Sequence, residues 1–190
     1  EFSSFARMPK PVFRAESIAD IARHSLFLHE VAHPEIQFTF ESDVQDMEII
    51  CDRRQLAQAL TNIVKNAVEA IDARLVGDSD EPLSPGHVEM TLSAAQGTRL
   101  AIIVSDNGVG LPAERQRIIE PYMTTRAKGT GLGLAIVHKI VEEHGGIMTF
   151  HDAPGGGTIV SIALDLGVLA GLEEGAGTEP AKGIVTANGA

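Results

Sequence analysis

The chain has 190 residues, 44% of them hydrophobic and 22% charged, which suits one domain with a proper core plus appendages. Its formal net charge of -11 argues against a nucleic-acid backbone or an anionic membrane as the main partner, because both require a basic face. The single cysteine, Cys51, rules out an internal disulfide, and no apolar run approaches the roughly 20 residues of a membrane span, so a cytoplasmic stretch is expected.

Residues 1–13, EFSSFARMPKPVF, read as a linker because of Pro9 and Pro11. From Glu16 the apolar positions Ile18, Ile21, Ala22, Leu28 and Val31 recur near helical spacing, which predicts a helix to about residue 32. Within it, HEVAH fits the zinc pattern H-E-x-x-H, but Pro34 disrupts the helix at His33 and no third ligand is set on a following helix. Ile36, Phe38 and Phe40 alternate with polar residues and predict a strand, with MEIIC (47–51) as its partner. Asp52 and Gln55 resemble a capping box opening a helix over about 53–74, whose buried stripe is Leu56, Leu60, Ile63, Ala67 and Ile71. After the loop 77–86 come strands at 87–94 and 99–106, a short helix near 112–119, and a helix over about 131–144 stopped by Gly145 and Gly146. IMTFH and TIVSIALD make a hairpin around DAPGGG, and the glycine-rich tail 167–190 is expected to be flexible. This order predicts an α/β fold, a two-layer sandwich with a mixed, mainly antiparallel sheet and helices on one face.

Three motifs stand out. Asn62 and Asn66 lie one helical turn apart with Glu69 a further turn along, on a side away from the apolar stripe; amide oxygens can ligate a Mg²⁺ that keeps most of its waters. A solvated helix face would carry the same residues. D-N-G-V-G (106–110) ends a strand: Asp106 can accept from an exocyclic amine, and Gly108 and Gly110 let backbone approach a flat ring, although Asp-Asn-Gly is also ordinary turn chemistry. K-G-T-G-L-G-L-A-I (128–136) sets Gly129, Gly131 and Gly133 before an apolar helix, where backbone amides can hold phosphate oxygens. Its spacing is neither G-x-G-x-x-G nor that of a P-loop.

Together and in this order, the motifs resemble the N, G1 and G2 boxes of the histidine-kinase catalytic domain, in the ATPase group that includes gyrase, Hsp90 and MutL. The resemblance covers about residues 14–166. EPYMTTRAKGTGLGLAIV looks like the F box running into G2, with Tyr122 in place of the usual phenylalanine, and GGGTIVSIALD resembles the closing motif. The opening EFSSFARMPKP is similar to the end of the second dimerisation helix of nitrogen-regulation sensor kinases of the NtrY type, which implies a piece of a longer parent anchored in the inner membrane. The resemblance implies a Bergerat-type fold that binds Mg-ATP. Asn62, Asn66, Asp106, Gly108, Gly110, Thr125, Gly129, Thr130, Gly131, Leu132, Gly133 and Thr158 would contact the nucleotide, with Mg²⁺ on Asn66. Asn62, Asn66 and Arg126 would serve transfer of the γ-phosphate, and the loop from Tyr122 to Thr130 would act as a lid. The acceptor would be a histidine on a separate dimerisation domain, which in turn serves a response regulator; the chain itself is expected to be a monomer.

Two departures matter. ATP-hydrolysing relatives carry a glutamate base where this chain has Asn62, which implies slow hydrolysis and a γ-phosphate kept for another nucleophile. Many kinases of the family carry Lys at the position of Glu69 and an aromatic at Ala70, so phosphate contact and ring stacking there are in doubt. HEVAHP also looks like a phosphoacceptor box, but it stands only about thirty residues before the N box and leads straight into a strand. The alternatives are a module that senses ATP or ADP without transfer, or a serine kinase of the same group.

Overall fold

The computed structural model describes residues 9–76, 84–95, 97–112 and 131–176. In chain order they form β1 (Arg14–Ser17), α1 (Ile18–Ala32), β2 (Ile36–Ser42), β3 (Glu48–Cys51), α2 (Arg53–Leu75), β4 (Gly86–Ala95), β5 (Arg99–Asp106), α3 (Gly133–Glu143), β6 (Gly146–Asp152), β7 (Thr158–Asp165) and α4 (Leu166–Ala176). A five-stranded sheet runs β2-β4-β5-β7-β6, with β2 and β4 parallel and the other pairs antiparallel.

Period-two alternation sets the layers. Met90, Val104 and Val160 stand side by side across β4, β5 and β7, and Leu92, Ile102 and Ile162 form the next row. All six are buried, whereas Thr91, Ile103 and Ser161 between them are only half-buried on the other face. Onto the buried face pack Ile18, Ile21 and Ala22 of α1, Leu56, Leu60, Ile63 and Ile71 of α2, and Val137 and Ile140 of α3. The expected α/β sandwich with helices on one face is what forms. No helix of the described residues is long and apolar enough to cross a membrane.

Three expectations are corrected. First, β3 pairs with β1 and not with β2: Ala15 stands opposite Ile50 in a separate two-stranded ribbon, and β2 takes β4 as a parallel partner through the α2 crossover. RAES has no apolar alternation, so its strand is imposed by the tertiary partner. Second, α1 begins at Ile18, where the Ser17 side chain accepts from the Asp20 amide, so Glu16 stays in β1. Third, the tail expected to be flexible from Gly167 opens as α4. Asp165 Oδ1 accepts from the Gly167 and Val168 amides, Leu169 is buried, and Leu166 and Leu172 pack on the core. Helical spacing of those leucines outweighs the glycines around them. The expected helix near 112–119 lies outside the described residues.

The N-terminus of α2 is a junction. Asp52 caps the helix, its Oδ1 accepting from the Gln55 amide at 3.0 Å, while Oδ2 accepts from the Val12 amide at 2.8 Å. Burial pushes the Asp52 carboxyl up, but the amides of Val12 and Gln55 and the nearby Arg54 outweigh it and hold the group below its usual range. His144, fully buried at the end of α3, places Nδ1 2.8 Å from the Ile140 carbonyl and accepts from the Asp52 amide at Nε2, 3.1 Å away. Only the neutral ring protonated on Nδ1 satisfies both partners.

Burial lowers the His144 pKa below the ordinary 6.5, against the carbonyl of Ile140 and the carboxylates of Asp52 and Glu143, which raise it. The unfolded chain therefore binds the proton more readily, and stability from this site, present above pH about 6.5, is lost as pH falls through the window below that value. The melting temperature should drop between pH 7.5 and pH 5, by about 2–4 °C per kcal/mol lost. In His144→Gln that drop should shrink, as thermal melts at the two pH values would show.

Candidate nucleotide site

The long helix α2 presents Asn62, Asn66 and Ala70 at four-residue spacing, so the three share one stripe; both asparagines are half-buried. At Ala70 this stripe meets the loop that follows β5. The Ala70 carbonyl accepts from the Val109 amide at 3.1 Å, and a Cβ built on Gly108 would stand 2.6 Å from both the carbonyl carbon and the Cβ of Ala70. Glycine at 108 is thus what lets the loop pack on the backbone and Cβ of Ala70. Glu69 turns aside, with Oε1 3.9 Å from Lys65 Nζ in an exposed pair that contributes little.

Asp106 is 7% exposed at the end of β5. Its Oδ1 accepts from the Gly108 amide at 2.8 Å and the Thr158 amide at 3.3 Å, which places the first residue of β7 beside it. Gly110, at φ +81°, approaches Gly157, whose own φ is +99° and whose position leaves no room for a side chain: a Cβ there would fall on the Asp106 carbonyl oxygen.

Asn107 braces the same loop. Its Oδ1 accepts from the His87 amide at 2.9 Å and its Nδ2 donates to the Pro85 carbonyl at 2.8 Å, tying the end of β5 to the start of β4. Asn107→Ala should cost about 1–3 kcal/mol by orphaning these groups, measured as a shift in denaturant midpoint at unchanged slope.

The third motif enters from α3, which packs beside α2. Gly131 has φ +66°, Leu132 is buried at the N-cap position, and the helix begins at Gly133, where an added Cβ would meet nothing within 4 Å. Leucine offers no side-chain oxygen to the first helical amides, so they suit an outside acceptor such as a phosphate. Of the predicted residues, the structure brings Asp106, Gly108, Gly110 and Thr158 into one loop cluster, which meets the helix of Asn62 and Asn66 at Ala70, while Gly131, Leu132 and Gly133 open the helix packed beside it. Thr125, Arg126, Gly129 and Thr130, with the rest of the predicted lid, lie outside the described residues.

Sequence reasoning missed Asn107 and Gly157. GGG reads as a turn opening the closing motif, and nothing local says that its last glycine touches a strand some fifty residues earlier.

These residues fit Mg-ATP. Glycine at 108 and 157 lets backbone pack where side chains would stand, a buried acid adjoins both glycines, and the helix start suits phosphate. Among the described residues no cluster of three His, Cys, Asp or Glu could hold a metal, so a divalent ion here would rest on amide and phosphate oxygens, as Mg²⁺ does. The zinc pattern lacks the continuous helix it needs. Here α1 ends at Ala32, His33 is its C-cap with φ −131°, and its Nδ1 sits 3.1 Å from Glu35 Oε1. Burial lowers the pKa of His29, as do His33 and Lys65, against the backbone of Thr61, which raises it.

Comparison with known proteins agrees. The family model described as histidine kinase-, DNA gyrase B- and HSP90-like ATPase matches residues 51–168. The nitrogen regulation protein NtrY of Azorhizobium caulinodans is 52% identical over 159 residues, covering 82% of this chain and 20% of its own length. The catalytic domain of histidine kinase ThkA, in a nucleotide-free form, superposes with a TM-score of 0.69 at 28% identity, over 82% of this chain and 96% of that one. Full-length ShkA in complex with AMPPNP gives a TM-score of 0.69 at 26% identity, over 84% of this chain and 32% of that one. The chain therefore spans about a fifth of the length of its NtrY relative.

Proposed function

This chain belongs to the histidine kinase-, DNA gyrase B- and HSP90-like ATPase family as a catalytic domain of the sensor histidine kinase type, and on that premise we propose that it binds Mg-ATP and donates the γ-phosphate to a histidine on a helical hairpin of its parent protein. The observation that carries the reading is the juxtaposition of the Asn62, Asn66 and Ala70 stripe with the Asp106–Gly110 loop through the Ala70 carbonyl and the Val109 amide. A relative of this fold holds an ATP analogue, which supports an adenine nucleotide here.

Asp106 would accept from the adenine amine, and Thr158, fixed beside it, would adjoin the same edge. Asn66, helped by Asn62, would hold a Mg²⁺ that neutralises phosphate charge. The amides at Gly131, Leu132 and Gly133 would cradle phosphate oxygens, and Arg126, Thr125, Gly129 and Thr130 would complete the phosphate side. With an amide at Asn62 where a general base would be needed, that position cannot activate water, so positioning and charge neutralisation would dominate. We place the domain on the cytoplasmic side of a membrane-anchored parent that phosphorylates a response regulator, and assign it to nitrogen regulation by its resemblance to NtrY.

The experiment follows labelled γ-phosphate from Mg-ATP with the chain alone and with the parent's hairpin added. Acid-labile label on a hairpin histidine, lost in Asn66→Ala, is expected. ATP binding with neither transfer nor release would leave a nucleotide-sensing module, and label on serine would indicate a serine kinase.

A further inference from the structure

The junction at the start of α2 precedes Asn62 by about two helical turns and is not used by the proposed chemistry. Nevertheless, it concentrates buried polar groups: Asp52 is 4% exposed, Gln55 2% and His144 0%. Asp52 divides its two oxygens between two tasks, capping α2 through the Gln55 amide and holding the Val12 amide. Gln55 then reaches the same incoming segment, donating from Nε2 to the Pro9 carbonyl at 3.2 Å. Phe13 sets its ring edge-on to His144 at 5.2 Å, and His144 accepts from the Asp52 amide. Two hydrogen bonds thus fasten the segment Pro9 to Phe13 to the first turn of the helix that carries Asn62 and Asn66, and a ring contact ties its end to His144, which itself binds Asp52.

A helix cap alone needs one oxygen and no partner forty residues away. A second buried oxygen given to an otherwise exposed strand of chain costs desolvation and conformational entropy, and what it secures is the direction in which the chain enters the domain. We propose that Asp52 and Gln55 are positioning residues that clamp the entering segment Pro9–Phe13 to α2, so that whatever precedes the segment is held at a set orientation to the nucleotide on the same helix. The proposal rests on the phosphoryl-transfer reading, in which the acceptor histidine arrives through that segment. Proximity of this kind is where misplacement is felt: a shift of about 1 Å can cost about a hundredfold in rate.

Chemistry separates the clamp from the cap. In Asp52→Asn the amide oxygen still caps the Gln55 amide, but the nitrogen now turns a donor towards the Val12 donor and the tie is lost. Val12→Pro removes the same hydrogen bond from the other side, leaving the cap intact. In the 190-residue chain, exchange of the Val12 amide should quicken by about tenfold in Asp52→Asn, with Mg-ATP affinity unchanged. In the parent protein with its upstream hairpin, the transfer kcat should fall by about tenfold or more with KM for ATP unchanged. Val12→Pro added to Asp52→Asn should lower it no further, because both remove one interaction.

An Asp52→Asn chain with Val12 protected as before, or transfer at the original kcat, overturns the proposal. So does a loss of ATP affinity matching the loss of rate, which would make Asp52 merely structural. If the unaltered parent transfers nothing, the kinase reading fails instead, and the exchange measurement still decides whether the clamp exists.

Discussion

Asp106→Asn should lower the affinity of the chain for Mg-ATP by about a hundredfold or more while leaving its melting temperature nearly unchanged. The fold survives because an asparagine oxygen can still accept from the Gly108 amide, now 2.8 Å from Asp106 Oδ1. Binding fails because the second position becomes a donor facing the donor of the adenine amine, and a site built for one hydrogen-bond polarity rejects the opposite strongly. Asp106→Ala makes the contrast: it strips the Gly108 and Thr158 amides of their acceptor as well and should also destabilise the domain by about 1–3 kcal/mol. Calorimetric titration beside thermal melts would separate the two. If Asp106→Asn binds Mg-ATP as the original chain does, Asp106 is a turn residue and the adenine reads elsewhere.

The second large effect is at the glycine run before β7. Gly155, Gly156 and Gly157 all have positive φ, at +87°, +106° and +99°, so alanine is strained at each. Only at Gly157 is there also no space, since its Cβ would fall on the Asp106 carbonyl oxygen and stand 2.7 Å from the Asn107 Cα, whereas nothing lies within 4 Å at the other two. Gly156→Ala should cost about 1–2 kcal/mol, the strain alone. Gly157→Ala should cost about 3–5 kcal/mol and lower ATP affinity too, because relief of the clash must move the strand end carrying Asp106. Equal costs at the two positions in denaturant unfolding would show that the β5–β7 contact is looser than this packing implies.

Much of this was readable from the sequence where the signal is periodic. The α2 stripe from Leu56 to Ile71 and the alternation of β4, β5 and β7 each bury one face, and burial writes a period into the sequence. The three motifs stand out in the sequence because glycine and asparagine at fixed spacing suit backbone geometry and ligand chemistry that few other residues supply. What was not readable is pairing between distant segments. Nothing in RAES announces a strand, because β1 exists through its match with Ile50 and Ile49. Nothing in MEIIC says that it rejects β2. Asp52 was legible as a cap, since capping is local, but not as the acceptor of Val12 or the neighbour of His144. The leucines of α4 stand at helical spacing among glycines that weaken the local signal, and it is burial of Leu169 that decides the helix.

The most direct test of the central claim is a titration of the isotopically labelled chain with Mg-ATP, and separately with Mg-GTP, following amide shifts. Saturable shifts confined to the Asn62–Asn66 turn, Asp106–Gly110, Gly131–Gly133 and Thr158 are expected with Mg-ATP, with much weaker ones for the guanine nucleotide, which presents an acceptor where adenine presents its amine. Absence of saturable shifts, or shifts gathered around His29 and His33 on α1 instead, would contradict it.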